Sequence, residues 1–183
     1  MSMADQVLEE LRPGLAPEVL AQIPDLAKRL AGAGRIVCYG VGREGLMMKA
    51  LAMRLYHLGL DAHVVGDMTA PPVGNGDVLF VSAGPGSFST VAGLVGVAQE
   101  AGTDVVCITA EPDGPVPQSA DVVVHAPAQT MAADKGAQAT SILPMGSLFE
   151  ALMFLFFELL VLDLRDQLGI TPDAMRANHT NLE

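Results

Sequence analysis

Five short apolar segments constrain this chain more than any other feature. They are Arg35–Gly40 (RIVCYG), Ala62–Gly66 (AHVVG), Asp77–Ser82 (DVLFVS), Asp104–Thr109 (DVVCIT) and Asp121–His125 (DVVVH). Each is rich in β-branched residues and apolar at successive positions. A strand with one wet face alternates polar and apolar residues. A strand apolar on both faces belongs to a parallel sheet covered by helices on both sides. Helical runs at Leu46–Leu58, Ser89–Ala101 and Ser147–Leu168 are interleaved with these segments, and the first 30 residues read as helical with a break near Pro13 and Pro17. The expectation is a doubly wound α/β fold. Ligands of such sheets sit outside the carboxyl ends of the strands, so the loops of interest are Gly40–Gly45, Ser82–Ser89, Thr109–Ser119 and His125–Ser147.

At 183 residues, half of them hydrophobic, the chain has the length of one domain and enough apolar surface for a sizeable core. The only two cysteines, Cys38 and Cys107, lie inside apolar runs and read as reduced core thiols of a cytoplasmic protein. Ten Lys and Arg stand against 21 Asp and Glu, a net charge of -11. No basic cluster is visible, which argues against nucleic acid as a partner. The opening MSMADQVLEELRPGL lacks the features of a signal peptide. Ser147–Leu168 is the most apolar stretch, but Glu150, Glu158 and Asp163 interrupt it, so it is expected to be a core helix that also packs on a partner subunit, and no membrane span is expected.

Gly40-Val41-Gly42-Arg43-Glu44-Gly45 is a GxGxxG sequence between a strand and a helix, with Asp67 just past the second strand. One reading is a dinucleotide-binding loop, with Asp67 as the ribose ligand. The other is a tight turn whose backbone N–H groups suit anions generally.

Three longer motifs favour a different family. Gly40–Gly59 (GVGREGLMMKALAMRLYHLG) resembles the GxGRSGxxxKAFAMRLxHLG stretch of 6-phospho-3-hexuloisomerases, members of the sugar isomerase (SIS) group. Ser141–Glu150 (SILPMGSLFE) is similar to their SxxPMGTxFE, and Gly169–Glu183 resembles their GIT…M…RHANLE ending and keeps Asn181-Leu182-Glu183. The resemblance runs from about Arg35 to the last residue. It implies one SIS domain over residues 1–183, with residues 1–30 a helical segment and residues 170–183 a docked tail. It also implies a five-stranded parallel sheet, a homodimer or homotetramer, a sugar or sugar phosphate as ligand, and isomerisation with no cofactor and no metal.

Moving a carbonyl between adjacent sugar carbons through a cis-enediol requires a base for the carbon-bound proton and donors for the oxygens. Glu150 matches the glutamate of the family motif and stands at a helix start that would favour its ionised form. Yet Ser147-Leu148-Phe149-Glu150 also spells a capping box, so Glu150 is either the base or a cap. His57 and His179 are candidate acids for ring opening or proton relay. His57 can equally be a surface imidazole at a helix C-terminus, while His179 matches the histidine of the family tail although Asn178 replaces the arginine before it. His63 and His125, in or beside strands, read as packing residues. Arg43 matches the family's GxGR arginine and is expected either to hold a substrate oxygen or phosphate or to pair with Glu44.

The resemblance weakens at the phosphate loop. Glu44 stands where the family has serine, and Ala83-Gly84-Pro85-Gly86-Ser87-Phe88 stands against SGSGxT. Two serines and a threonine are lost there, and Pro85 has no N–H to offer. Each missing charge-assisted hydrogen bond would weaken phosphate binding by about 1.5–3 kcal/mol. The expected substrate contacts are Gly42, Arg43, Glu44, Ser82, Gly84, Gly86, Ser87, Ser89 and Thr109. Glu44 is expected to accept from sugar hydroxyls and Phe88 to cover an apolar ring face, which suits a sugar without the usual phosphate or with another group in its place. A non-catalytic sugar-binding SIS module and a dinucleotide-binding protein remain the alternatives.

Overall fold

The computed structural model describes residues 1–182; Glu183, the end of the family-like tail, lies outside the described residues. The five apolar segments form β1 (Ile36–Tyr39), β2 (Ala62–Val64), β3 (Val78–Ser82), β4 (Asp104–Thr109) and β5 (Val122–His125). They pair in parallel in the order β2-β1-β3-β4-β5. Successive side chains of a strand point to opposite faces, so the all-apolar segments feed two cores. Ile36, Cys38, Phe80, Val106 and Ile108 face one layer. Val37, Leu79, Val81, Val105 and Cys107 face the other.

The first layer contains α3 (Ile23–Ala31), α4 (Gly42–His57) and α7 (Ser147–Leu168), preceded by α1 (Met3–Leu11), a 3₁₀ turn at Arg12–Leu15 and α2 (Pro17–Leu20). The second holds α5 (Ser89–Glu100) and α6 (Pro115–Ser119). A last helix, α8 (Pro172–Ala177), lies against α4 and packs Met175 on the first core. Helices α6 and α8 are too short to show a hydrophobic period, which is why the sequence does not announce them. Helix α4 begins at Gly42, four residues before the apolar period, because part of the glycine loop is its first turn. Gly45 makes that possible: a Cβ there would stand 2.4 Å from the Gly40 carbonyl oxygen, so only glycine lets α4 close on the end of β1. The glycine spacing thus has a packing reason that requires no dinucleotide.

Helix α7 lies along the sheet with Phe149, Leu152, Met153, Phe156, Leu160 and Leu164 almost fully buried. Phe157 meets Phe80 of β3 edge to face at 5.9 Å between ring centroids, a favoured aromatic geometry. Phe154, Leu155 and Leu162 remain exposed on the outer side. No helix among the described residues is long and apolar enough to cross a membrane. Because Phe157 joins α7 to the central strand, Phe157→Ala should cost about 3–5 kcal/mol, read as a lower urea midpoint with an unchanged slope.

Candidate active site

With strand order 2-1-3-4-5, the chain path reverses between β1 and β3, and their carboxyl-end loops diverge there to leave a crevice. A cleft of about 420 Å³ opens at this point. The β1–α4 turn supplies Val41, Gly42, Arg43 and Glu44, and the β3–α5 loop supplies Pro85, Ser87 and Phe88. Met131, Ala132 and Met145 come from the segment before α7, and Glu150 from its first turn.

The N-terminus of α7 decides what Glu150 is free to do. Its N-cap is Gly146, in the left-handed region at φ 81°, and no side chain caps the helix. Ser147 is therefore already helical and donates its hydroxyl hydrogen to the Pro144 carbonyl at 2.8 Å. The capping box expected from the spacing does not form, because its serine sits one position too late. Met145, just before, is the only non-glycine residue at positive φ among the described residues (58°). Such a conformation costs a β-carbon-bearing residue about 1–3 kcal/mol and must be held in place. Asp134 accepts the Met145 N–H and Arg43 donates to its carbonyl oxygen.

Arg43 is the hub of this arrangement. Besides the Met145 carbonyl, its guanidinium donates to Ser147 Oγ at 2.8 Å. Its Nη2 lies 2.9 Å from Glu150 Oε2, which is buried yet accepts no hydrogen bond. The N–H bonds are aimed at Met145 and Ser147, so Glu150 feels the cation without being tied to it by a hydrogen bond. The expected Arg43–Glu44 pair is replaced by this Arg43–Glu150 pair. Burial pushes the Glu150 carboxyl above its ordinary value, Arg43 pulls it back, and the nearby Glu44 pushes it up again.

Glu44 is only 7% exposed. Its Oε2 accepts from the Ser82 hydroxyl at 2.7 Å and the Gly84 N–H at 3.0 Å. Burial raises its carboxyl, and the bonds from Gly84 and Ser82 oppose that rise. These contacts revise several sequence expectations. Ser82 and Gly84 spend their donors on Glu44 rather than on substrate. Thr109 donates its hydroxyl to the Ala83 carbonyl at 2.7 Å, bracing the same loop from below. Gly86 donates its N–H to the Ala83 carbonyl and is buried against Gly114. Ser89 is exposed in the first turn of α5 and does not line the cleft. Of the expected substrate contacts, the cleft collects Gly42, Arg43, Glu44 and Ser87, together with Glu150. Ser147, Met145 and Met131 were missed as site residues; the PMGS motif was the available signal for the first two.

The histidines stand elsewhere. His57 is buried at the far end of α4 and stacks on His179 with ring centroids 5.3 Å apart, while Asn178 Nδ2 donates to the His57 carbonyl at 3.1 Å. His57 lies fourteen positions along α4 from Arg43, about 21 Å at 1.5 Å per residue, so neither it nor the His179 stacked on it reaches this cleft within one chain. His63 pairs with Asp61 at 2.8 Å. His125 is exposed rather than packed, because β5 is an edge strand whose end is closed by the Gln22 side chain. The two cysteines are buried as expected, and burial pushes both thiols up to about 12. No cluster that could hold a metal ion occurs among the described residues.

A family model described as the SIS domain matches residues 29–155, more than half of the chain. The chain belongs to the SIS domain family. It is 32% identical to a Bacillus subtilis protein named 3-hexulose-6-phosphate isomerase, over 97% of this chain and 96% of that one. A Mycobacterium gastri protein of the same name is 37% identical over 88% of this chain and 80% of its own. Among solved structures, a Methanococcus jannaschii protein superposes with a TM-score of 0.82 at 26% identity, covering 99% of this chain and 97% of that one. Its structure was taken to imply the function of 3-hexulose-6-phosphate isomerase. Membership of this family replaces the dinucleotide reading of the glycine loop.

The raised carboxyl of Glu44 has a consequence for stability. A carboxyl whose folded-state value is raised contributes stability that is complete below the unfolded-state value and lost as pH rises through the folded one. Glu44→Gln cannot ionise, so it should unfold at higher urea than the native protein at neutral pH. The gap should close below the ordinary glutamate value of 4.5.

Proposed function

We propose that this protein is a cofactor-free sugar isomerase that shifts a carbonyl between adjacent carbons of a ketohexose or its phosphate ester. One observation carries the reading: Glu150, freed from capping, lies in the cleft beside a cation and takes no hydrogen bond on its buried Oε2. Burial raises this carboxyl and Arg43 opposes the rise, so the group stands beside a cation with one oxygen unspent, as suits a base that takes a proton from carbon. Arg43 favours its charged form, and Val41, Phe88, Met131 and Met145 give the cleft apolar walls. The names of the curated relatives point to the 6-phosphate of a 3-ketohexose as substrate.

A second reading, a sugar without that phosphate, is favoured by the donor inventory of the β3–α5 loop. The Ala83 N–H goes to the Ile108 carbonyl, the Gly84 N–H to Glu44, and the Gly86 N–H to Ala83, while Pro85 has none. A phosphate would be left with the hydroxyls of Ser87, Ser89 and Thr90, the N–H groups of Ser87 and Phe88, and the first N–H groups of α5. The stacked His57 and His179 can assist ring opening only from another copy of the chain, in a homodimer or homotetramer. Exposed Phe154, Leu155 and Leu162 on α7 offer such a copy an apolar surface.

The test is product formation from [2-¹³C]fructose 6-phosphate and, separately, [2-¹³C]fructose, followed by ¹³C NMR. Isomerisation turns the labelled carbonyl-derived carbon into a carbinol carbon next to a new carbonyl. Conversion of the ester supports the first reading, and conversion of fructose alone the second. Glu150→Gln should remain folded and lose conversion of whichever sugar reacts. If neither sugar is converted, or if Glu150→Gln matches the native enzyme, the proposal fails.

A further inference from the structure

An enediol pathway moves two protons. One leaves carbon and returns to the neighbouring carbon. The other must reach the old carbonyl oxygen and leave the hydroxyl that becomes the new carbonyl. Within one chain the histidines lie about 21 Å along α4 from Arg43 and cannot carry the second proton. Among the described residues the cleft contains one other carboxyl group, Glu44.

Its setting suits a proton donor. Both of its hydrogen bonds, from Ser82 and Gly84, fall on Oε2, so this oxygen is anchored as an acceptor. Oε1 takes neither, on a side chain that lines the cleft. The cation in the cleft belongs to the other carboxylate: Arg43 lies 2.9 Å from Glu150, and no ion pair joins it to Glu44. We propose that Glu44 is a second catalytic residue, whose Oε1 carries the proton passed between the two adjacent sugar oxygens while Glu150 moves the proton between the carbons. This inference rests on the isomerase reading and deepens it.

The step balances. Glu150 takes the proton from the carbon bearing the hydroxyl. The C–H electron pair becomes the carbon–carbon double bond, and the carbonyl π pair moves to its oxygen, which takes the proton from Glu44 Oε1. In the second half the neighbouring hydroxyl returns a proton to Glu44 Oε1 and its oxygen becomes the new carbonyl. The double-bond pair then collects the proton held by Glu150 at the other carbon. Both carboxyl groups end as they began. The groups that face Glu44 agree with this division. Burial raises both carboxyls, but only Glu150 has the Arg43 cation beside it to oppose that rise, while Glu44 has the bonds from Gly84 and Ser82; the nearby Cys107 thiol, pushed up to about 12, stays neutral at any working pH.

Two measurements test it. Side-chain ¹³C NMR of the native protein without substrate should show Glu150 losing its proton first and Glu44 second; the reverse order overturns the inference. The second is the pH profile of kcat/KM on the sugar that reacts, fructose 6-phosphate first. The native enzyme should lose activity at high pH as Glu44 loses its proton. Glu44→Gln, with the acceptor for Ser82 and Gly84 kept, should lower kcat about 10²–10⁴-fold at a similar KM and abolish that high-pH fall. Ser82→Ala removes a bond that favours ionised Glu44, so the fall should move to higher pH. If both variants lower kcat with the fall left in place, Glu44 is only a brace for its loop. Native turnover with Glu44→Gln unimpaired sinks this inference alone. A native enzyme that converts neither sugar sinks the isomerase reading and this one together.

Discussion

The site depends on the position of one guanidinium. Arg43 leaves the first turn of α4 and reaches the first turn of α7, more than 100 residues later, where it holds the Met145 carbonyl, the Ser147 hydroxyl and the charge of Glu150. Arginine suits this task because its planar fork presents several donors at fixed angles, whereas a lysine would supply a single point charge. Nearly half of the Arg43 side chain is exposed, so its ion pair adds little to stability, of order 0–1 kcal/mol. Its value is positional. It compensates the left-handed backbone at Met145 and supports a helix start at which no side chain is needed as a cap. Glu150 is thereby left uncommitted to capping its helix.

The second constraint is the carboxylate of Glu44. It takes the serine and backbone donors at the end of β3 that would otherwise face the cleft. An internal anion in that position ties the β1–α4 turn to the β3–α5 loop from inside. It also changes what the loop can offer an external anion. The two glutamates share one cleft and one cation, and the cation sits beside Glu150. On the proposed reading, surroundings that differ in this way divide the two carboxyl groups into a base and an acid.

Much of the fold was legible in the sequence. The five strands appear where β-branched residues run apolar on both faces, and α7 spans Ser147–Leu168 as its apolar stretch indicated. The site was legible only in part. Glu150 and Arg43 stand out in their motifs, but their pairing joins segments a hundred residues apart and leaves no periodic trace. The apparent capping box shows the limit of spacing arguments. S-x-x-E fits a cap, but the left-handed turn at Met145-Gly146 moves the helix start one residue earlier and the box never closes. His57 shares its helix with Arg43, and only the helix length reveals that they occupy opposite ends. Ser82 and Thr109 looked like substrate contacts because they end strands at the right edge of the sheet. Their hydroxyls instead brace the loop.

The central claim is that Glu150 moves a proton between neighbouring carbons. It is tested most directly by running the conversion in D₂O and reading the carbon-bound hydrogens of substrate and product by NMR. A proton held on Glu150 can exchange with solvent before it returns, so the account predicts partial deuterium at the carbon that gains a hydrogen in the native enzyme, and neither conversion nor incorporation with folded Glu150→Gln. Conversion or incorporation that survives in folded Glu150→Gln would contradict it.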